Sequence, residues 1–294
     1  MHHRLAALLL TGLLGSGCAS TLSSHQTAKP VDPGHFQVSG GFGFYTPLGP
    51  TSAIIGAGVR QAGRLLEAIS KNEQYALSEE DQQELLTAGI ALAALPPSPT
   101  TEISVRTGVV QNLDAGVRYS LNAVRLDAKY RFFHQDDGPG VPEGSQSSFD
   151  IAAGLGVSKY LFNNPLVDAL QFVKLGNFDR WDLEVPLYIS WESGDVFRFY
   201  GGPKYIFSRT TFDERLVNTS GQASLITGLD LSLPARVDIH FVGATVGIMV
   251  GYKYVFLILE LTGGYTFSNP VVLGQRRDLG GATLFPNIGL ALRF

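Results

Sequence analysis

The sequence is poor in charge, in cysteine and in long apolar runs. Charged residues make up 16% of its 294 residues, against roughly 25% in ordinary soluble domains. A single cysteine excludes an internal disulfide. Beyond the first 17 residues, no stretch reaches the ~18 consecutive apolar residues that a spanning helix needs, which excludes a helical membrane protein. The net charge of −4 gives no electrostatic reason to expect nucleic acid as a partner.

The first residues have the layout of a secretory signal, with a basic start, an apolar core over 5–14 and a small-residue region. Cys18 stands where bacterial lipoproteins carry their lipidated cysteine, so residues 1–17 resemble a lipoprotein signal peptide. Gly15 departs from that pattern, because leucine usually precedes the cysteine by three residues. The resemblance implies lipidation of Cys18. The alternative is ordinary cleavage near Ala19 with an incidental cysteine.

Most of the remaining chain alternates between apolar and polar side chains, a pattern that predicts β-strands. Residues 18–33 are polar, contain two prolines and are predicted to form a flexible tether before a barrel domain over 34–294. A hairpin hidden in 209–236 would change the strand count. The strand segments are 35–46, 100–110, 112–121, 123–133, 147–159, 180–192, 195–208, 237–252, 254–267 and 281–294.

Two segments indicate lipid on the outside of the sheet. In the hairpin over 113–133, apolar residues share one face and charged residues share the other. The strand over 181–191 carries an apolar stripe with Trp181 and Trp191 at its two ends. Aromatic residues on both sides of an apolar band are typical of the two membrane interfaces. These patterns favour a membrane barrel over a soluble barrel or sandwich.

The last segment alternates in the same way and ends on Phe294, a third candidate interface aromatic. This ending resembles the assembly signal of bacterial outer-membrane β-barrels. The resemblance implies an all-β fold, a transmembrane antiparallel barrel of about ten strands in the bacterial outer membrane. It also implies two partners, the membrane lipid and the barrel-assembly machinery that reads the last strand. It implies no activity.

A two-helix insert follows the first strand, over 51–97. Apolar residues recur at helical spacing over 51–72, and Ser78 to Asp81 resembles a capping box that opens a second helix ending near Leu95. The apolar sides of these helices need cover. The helices could plug the barrel, cap it, lie on the membrane or bind a partner. Their mixed polar face weakens the membrane option, and a plug or cap is favoured.

Catalytic patterns are sparse. The cluster of His134, Asp136 and Asp137 resembles the histidine and aspartate that barrel surface proteases use on their outer rim. This cluster falls on the predicted periplasmic side of the barrel instead. A solvated acidic turn is therefore the favoured interpretation. His240 is predicted to be a structural residue of the lumen or rim. No run of residues has metal-ligand spacing. We therefore predict no catalytic residue, no metal and no cofactor, with a barrel hydrolase as the open alternative.

The inward faces collect charges of both signs, which are expected to pair because burying them singly costs far more. A paired, closed core predicts a structural or interaction role in the cell envelope. The alternative is a channel or transporter for a small solute, gated by the helical insert, in space left by inward glycines. The candidate lumen charges are Arg118, Arg125, Lys129, Arg131, Arg198, Lys204, Asp114, Asp127, Asp182, Glu184 and Glu260.

Overall fold

A computed structural model describes residues 21–294, except for 72–74, 77, 96, 121–122, 139–140, 143–144, 162–177, 213–225 and 228–235. The predicted signal peptide and Cys18 lie outside the described residues.

Ten antiparallel strands close into one barrel, as the alternation predicts. Each strand pairs with its neighbours in the chain, and the first strand also pairs with the last, with Gln37 opposite Arg293. Closure leaves no unpaired sheet edge. The strands are β1 Phe36–Pro47, β2 Ser98–Val110, β3 Leu113–Ser120, β4 Ala123–Asp136, β5 Ser147–Tyr160, β6 Phe178–Ser193, β7 Phe197–Phe212, β8 Arg236–Tyr252, β9 Val255–Phe267 and β10 Gly281–Arg293.

The described connections add no barrel strand. Ile226–Thr227 pairs in parallel with Tyr75–Ala76, and Val271–Val272 forms a small hairpin with Gln275–Arg276. Neither pairing joins the barrel, so the count of ten stands. Three of the four connections at the end that holds Phe36 and Phe294 are short turns, the exception being the one between Asp136 and Ser147. Four of the five connections at the other end are long, the exception being the one between Ser120 and Ala123. Short turns are periplasmic in outer-membrane barrels, which assigns the first end to the periplasm.

The outer face of the barrel is apolar. Leu126, Leu155 and Val242 point outward with 53–60% of their surface exposed. Near the two ends of β6, Trp181 packs edge-on against Phe207, and Trp191 packs edge-on against a phenylalanine of β7. An exposed apolar band of this extent needs lipid around it. The barrel therefore spans a membrane, and the place of these tryptophans at its two interfaces stays a prediction.

Two helices follow β1, as predicted: α1 is Pro50–Ser70 and α2 is Glu79–Ala94. Ser78 forms the expected capping box, since its hydroxyl accepts the Asp81 N–H at 3.1 Å and the Asp81 carboxylate accepts the Ser78 N–H at 3.2 Å. Gly58 lets the two helices approach closely, because a Cβ there would overlap Ala88. Of the helices described, none is both long and apolar enough to cross a membrane.

The helices cap the outer end of the barrel. Ile55 of α1 and Ile90 of α2 share one buried cluster with Phe241 and Phe285, which point inward from the outer halves of β8 and β10. The apolar sides of the helices are thus covered by each other and by the barrel end. Leu22 belongs to the same cluster and lies beneath the cap.

Candidate functional lumen

The structure places the predicted lumen charges on the inner wall. The alternation that puts apolar side chains outward on each strand puts these residues inward. Arg131 and Asp127 are partly buried, and the others are at most 6% exposed: Arg118, Arg125, Lys129, Arg198, Lys204, Asp114, Asp182, Glu184 and Glu260. Further buried charges of the wall are Glu102, Arg106, Asp150, Arg180 and Glu192, of which Glu102 and Arg106 had no sequence signal that singled them out.

Residues 21–33 run through the lumen to its periplasmic mouth, where Asp32 and Pro33 are exposed, instead of forming part of the flexible tether predicted over 18–33. We call them the luminal segment. Six consecutive residues, Ser23 to Ala28, are at most 4% exposed. The segment enters the described structure beneath the helical cap at Leu22, runs toward the periplasm and ends where Pro33 bridges Gly108 of β2. Polar composition suits a solvated tether and a polar lumen equally well, which is why the sequence alone did not separate them.

The wall binds the main chain of the luminal segment. The two carboxylate oxygens of Glu260 accept the N–H groups of Ser24 and His25, at 2.7 and 2.9 Å. The guanidinium of Arg118 donates to the carbonyl oxygens of Ser23 and Ser24, at 2.7 and 2.8 Å. These charge-assisted bonds satisfy both kinds of peptide group along one stretch of chain.

Two lysines continue this pattern along the segment. Lys204 Nζ donates to the Leu22 carbonyl oxygen at 2.5 Å, and Lys129 Nζ donates to the Thr27 carbonyl oxygen at 2.6 Å. Nearer the periplasm, the Val31 N–H donates to a carboxylate oxygen of the wall at 3.0 Å. Because buried peptide groups are costly when unpaired, these contacts are what allow a chain without regular secondary structure to lie inside the barrel.

His25 occupies a fitted pocket. Its Nδ1 lies 3.1 Å from a Glu102 carboxylate oxygen, and its Nε2 lies 2.5 Å from the Asn287 side-chain oxygen. Gly41 of β1 and Gly289 of β10 leave the space for the ring, since a Cβ on Gly41 would overlap it. Inward glycines are the one sequence signal of empty space in the lumen. From the sequence, that space was expected to hold a solute or the helices. The occupant of this part of the lumen is a histidine of the chain itself.

The charges of the wall also pair with one another. Asp114 is fully buried and contacts both Arg106 and Lys129, the latter at 3.3 Å. Glu184 contacts Arg125 and lies 3.8 Å from Lys204. The two cavities described beside Thr21 and His25 measure about 10 Å³ each, room for roughly one water molecule. Over the described residues, the middle of the lumen is therefore filled.

The predicted histidine sites have other roles in the structure. His134 lies at the periplasmic end, with Nδ1 2.7 Å from Asp150 and Nε2 3.3 Å from Asp136. Ser148 also donates to Asp150, so the carboxylate lies between serine and histidine and the imidazole is not placed to activate the serine. His240 points outward near the start of β8 and contacts the Tyr205 hydroxyl at 2.7 Å. It is therefore not a lumen residue, and its structural role at the rim stays a prediction. Among the described residues, no cluster suits a metal ion.

No protein-family model and no curated protein matches the chain. Similar solved structures include Ail, the attachment invasion locus protein of Yersinia pestis (9% identity, TM-score 0.30, covering 89% of this chain and 99% of that one). They also include the outer membrane protease OmpT from Escherichia coli (10%, 0.32, 91% and 100%) and the translocator domain of the autotransporter NalP from Neisseria meningitidis (8%, 0.34, 100% and 95%). At these scores they say nothing about activity, and the barrel is identified by its own geometry.

Proposed function

We propose that this outer-membrane β-barrel is a structural or interaction protein of the cell envelope and that its lumen is closed at rest. The observation that carries this proposal is the luminal segment, which fills the barrel and bonds the charges of its wall. A passive pore would need a continuous water path, and the luminal segment takes up the width that ten strands leave beyond the eight that side chains fill. The helical cap is then available to meet a partner outside the cell.

A gated channel is the second candidate, and the polar character of the luminal segment favours it. The segment is held by hydrogen bonds and ion pairs, which water can replace if the segment leaves. The wall left behind would carry charges of both signs. The gate would then be the luminal segment, in place of the helical insert that the sequence suggested.

Conductance of the refolded protein in a planar bilayer tests the closed state. We expect no unitary steps from the full chain, and none from a variant lacking 51–97, because the luminal segment stays in place without the cap. A heat-modifiability gel confirms that each sample contains a folded barrel. Steady steps from the full chain would contradict the proposal, and steps that appear only after loss of 51–97 would make the helices the gate.

Lipidation of Cys18 is a further part of the proposal, and it has a consequence for the luminal segment. The luminal segment begins beneath the helical cap, where Leu22 packs in a buried cluster with residues of the helices and of the barrel wall. We propose that a lipid on Cys18 and the luminal position of residues 21–33 exclude each other.

We expect acylated protein to carry residues 21–33 outside the lumen. Protease added at the periplasmic face should cut this segment in acylated wild-type protein and spare it in Cys18→Ser, which cannot be acylated. Mass spectrometry identifies both the acyl chain and the cut sites. An acylated chain whose segment is fully protected would contradict the exclusion.

A further inference from the structure

The luminal segment is bound as a ligand would be bound, mainly through groups that every peptide has. Four charged side chains of the wall contact its peptide N–H and C=O groups between Leu22 and Lys29, namely Arg118, Lys129, Lys204 and Glu260. Ser190 and Thr262 of the wall bond to further peptide groups of the segment. The segment turns at His25, whose backbone φ is 51°, and its main-chain bonds do not depend on its side chains.

One position adds side-chain selectivity. The His25 ring is 2% exposed and has an acceptor at each nitrogen, Glu102 and Asn287, while two glycines form the flat wall beside it. Neighbouring side chains also bond to the wall, since the Thr27 hydroxyl donates to Glu192 at 2.6 Å and Gln26 Nε2 donates to the Tyr188 hydroxyl at 2.7 Å, but these groups lack the ring-shaped pocket of His25. The pocket therefore selects an imidazole, or a side chain of similar shape with two donors.

The periplasmic end provides a way into this channel. A vestibule of about 500 Å³ opens there, lined in part by Lys29 and Asp32 of the luminal segment and by Arg293 of β10. Arg198 also lines it and is 6% exposed; its Nε lies 3.3 Å from a Glu192 carboxylate oxygen, and its Nη1 donates no hydrogen bond within the described structure. A peptide entering from the periplasm would meet this buried cationic donor, which the resident segment leaves unused.

We propose that the lumen is a binding channel for a polypeptide segment that carries a histidine at the place of His25, and that residues 21–33 are its resident ligand. A second peptide of this chemistry, entering from the periplasm, would displace the segment by making the same bonds to the wall. This inference rests on the proposed closed barrel and deepens it, since it names what the closed lumen binds.

The test uses the full chain with a protease site inserted between Gly34 and His35. Both residues are exposed, and a Cβ added to Gly34 would meet no atom within 4 Å, so the site has room for the insertion. After refolding and cleavage, mass spectrometry follows how long the cut segment stays with the barrel. A labelled synthetic peptide of residues 21–33 is then added in excess. We expect the wild-type segment to be retained and to exchange saturably with the labelled peptide.

Two variants of the cleavable chain separate pocket recognition from simple trapping. His25→Ala should lose its cut segment at least tenfold faster, because it empties the imidazole pocket. Thr21→Ala, which changes a partly exposed side chain above the main-chain contacts, should behave as wild type. In the peptide series, N-methylation at Ser24 should weaken exchange at least tenfold, because it removes the N–H that Glu260 accepts.

Two results would overturn the inference. One is immediate loss of the wild-type segment on cleavage with no uptake of labelled peptide, and the other is equal retention of the His25→Ala and wild-type segments. Both are independent of conductance. An intact chain that conducts would refute the closed barrel, whereas a silent intact chain whose cut segment falls out would refute only the peptide channel.

Discussion

Deleting residues 21–33 is expected to convert a barrel that conducts no ions into one that does. The deletion removes the only chain described inside the lumen and frees Arg118, Lys129, Lys204 and Glu260 to bind water and ions. Ten strands enclose more width than the eight that side chains fill, and here the luminal segment takes up that width. We expect stable unitary steps in a planar bilayer, under conditions in which the full chain gives none.

Two controls keep this prediction decisive. The variant lacking 51–97 loses more residues but keeps the luminal segment, so it should remain silent. If deletion of 21–33 prevents refolding, the conductance measurement uses another sample in place of the deletion variant. That sample is the chain cleaved after Gly34, from which the cut segment has been washed away. A folded barrel that lacks the segment and still conducts nothing would show that the wall alone closes the lumen.

Asp114→Ala should lower the free energy of unfolding by about 3–5 kcal/mol, the usual cost of removing one partner from a buried ion pair. Asp114 is 0% exposed and contacts two cations, Arg106 and Lys129, while it also accepts the Val31 N–H. Its loss therefore leaves Lys129 without a carboxylate partner and weakens the periplasmic end of the luminal segment. Urea unfolding of the refolded protein in lipid measures the change.

Asp179→Ala is the matched control. Asp179 pairs with Lys159, but both side chains are more than half exposed, and exposed pairs contribute about 0–1 kcal/mol. The two variants remove the same group from the same kind of ion pair, and burial is the main difference. Equal losses of stability for Asp114→Ala and Asp179→Ala would mean that water reaches the lumen wall freely, against the filled lumen.

The strands could be predicted because their pattern is local. In the hairpin over 113–133, a charge at every second position fixes which side faces inward, and the structure confirms it for Asp114, Arg118 and Lys129. The capping box at Ser78 is also local, since its two partners are three residues apart. Such features need only the geometry of one strand or one helix end.

The luminal segment could not be predicted because its partners are distant in the chain. Ser24 is 236 residues from Glu260, and His25 is 262 residues from Asn287. Only the closed barrel brings these groups together. The sequence showed an excess of inward charges and inward glycines, which indicates space and polar contacts in the lumen. It did not show that the polar stretch before β1 supplies the occupant.

Crosslinking inside intact cells tests the luminal position of residues 21–33 most directly. Ala28 and Ala152 are both fully buried and share one cluster with Tyr188. In a Cys18→Ser background, we predict that cysteines at 28 and 152 are joined by a short thiol crosslinker. A cysteine at 153, on the outer face of the same strand, should not be joined to 28. A cysteine at 28 that reacts freely with a water-soluble maleimide in the periplasm and never crosslinks to 152 would contradict the account.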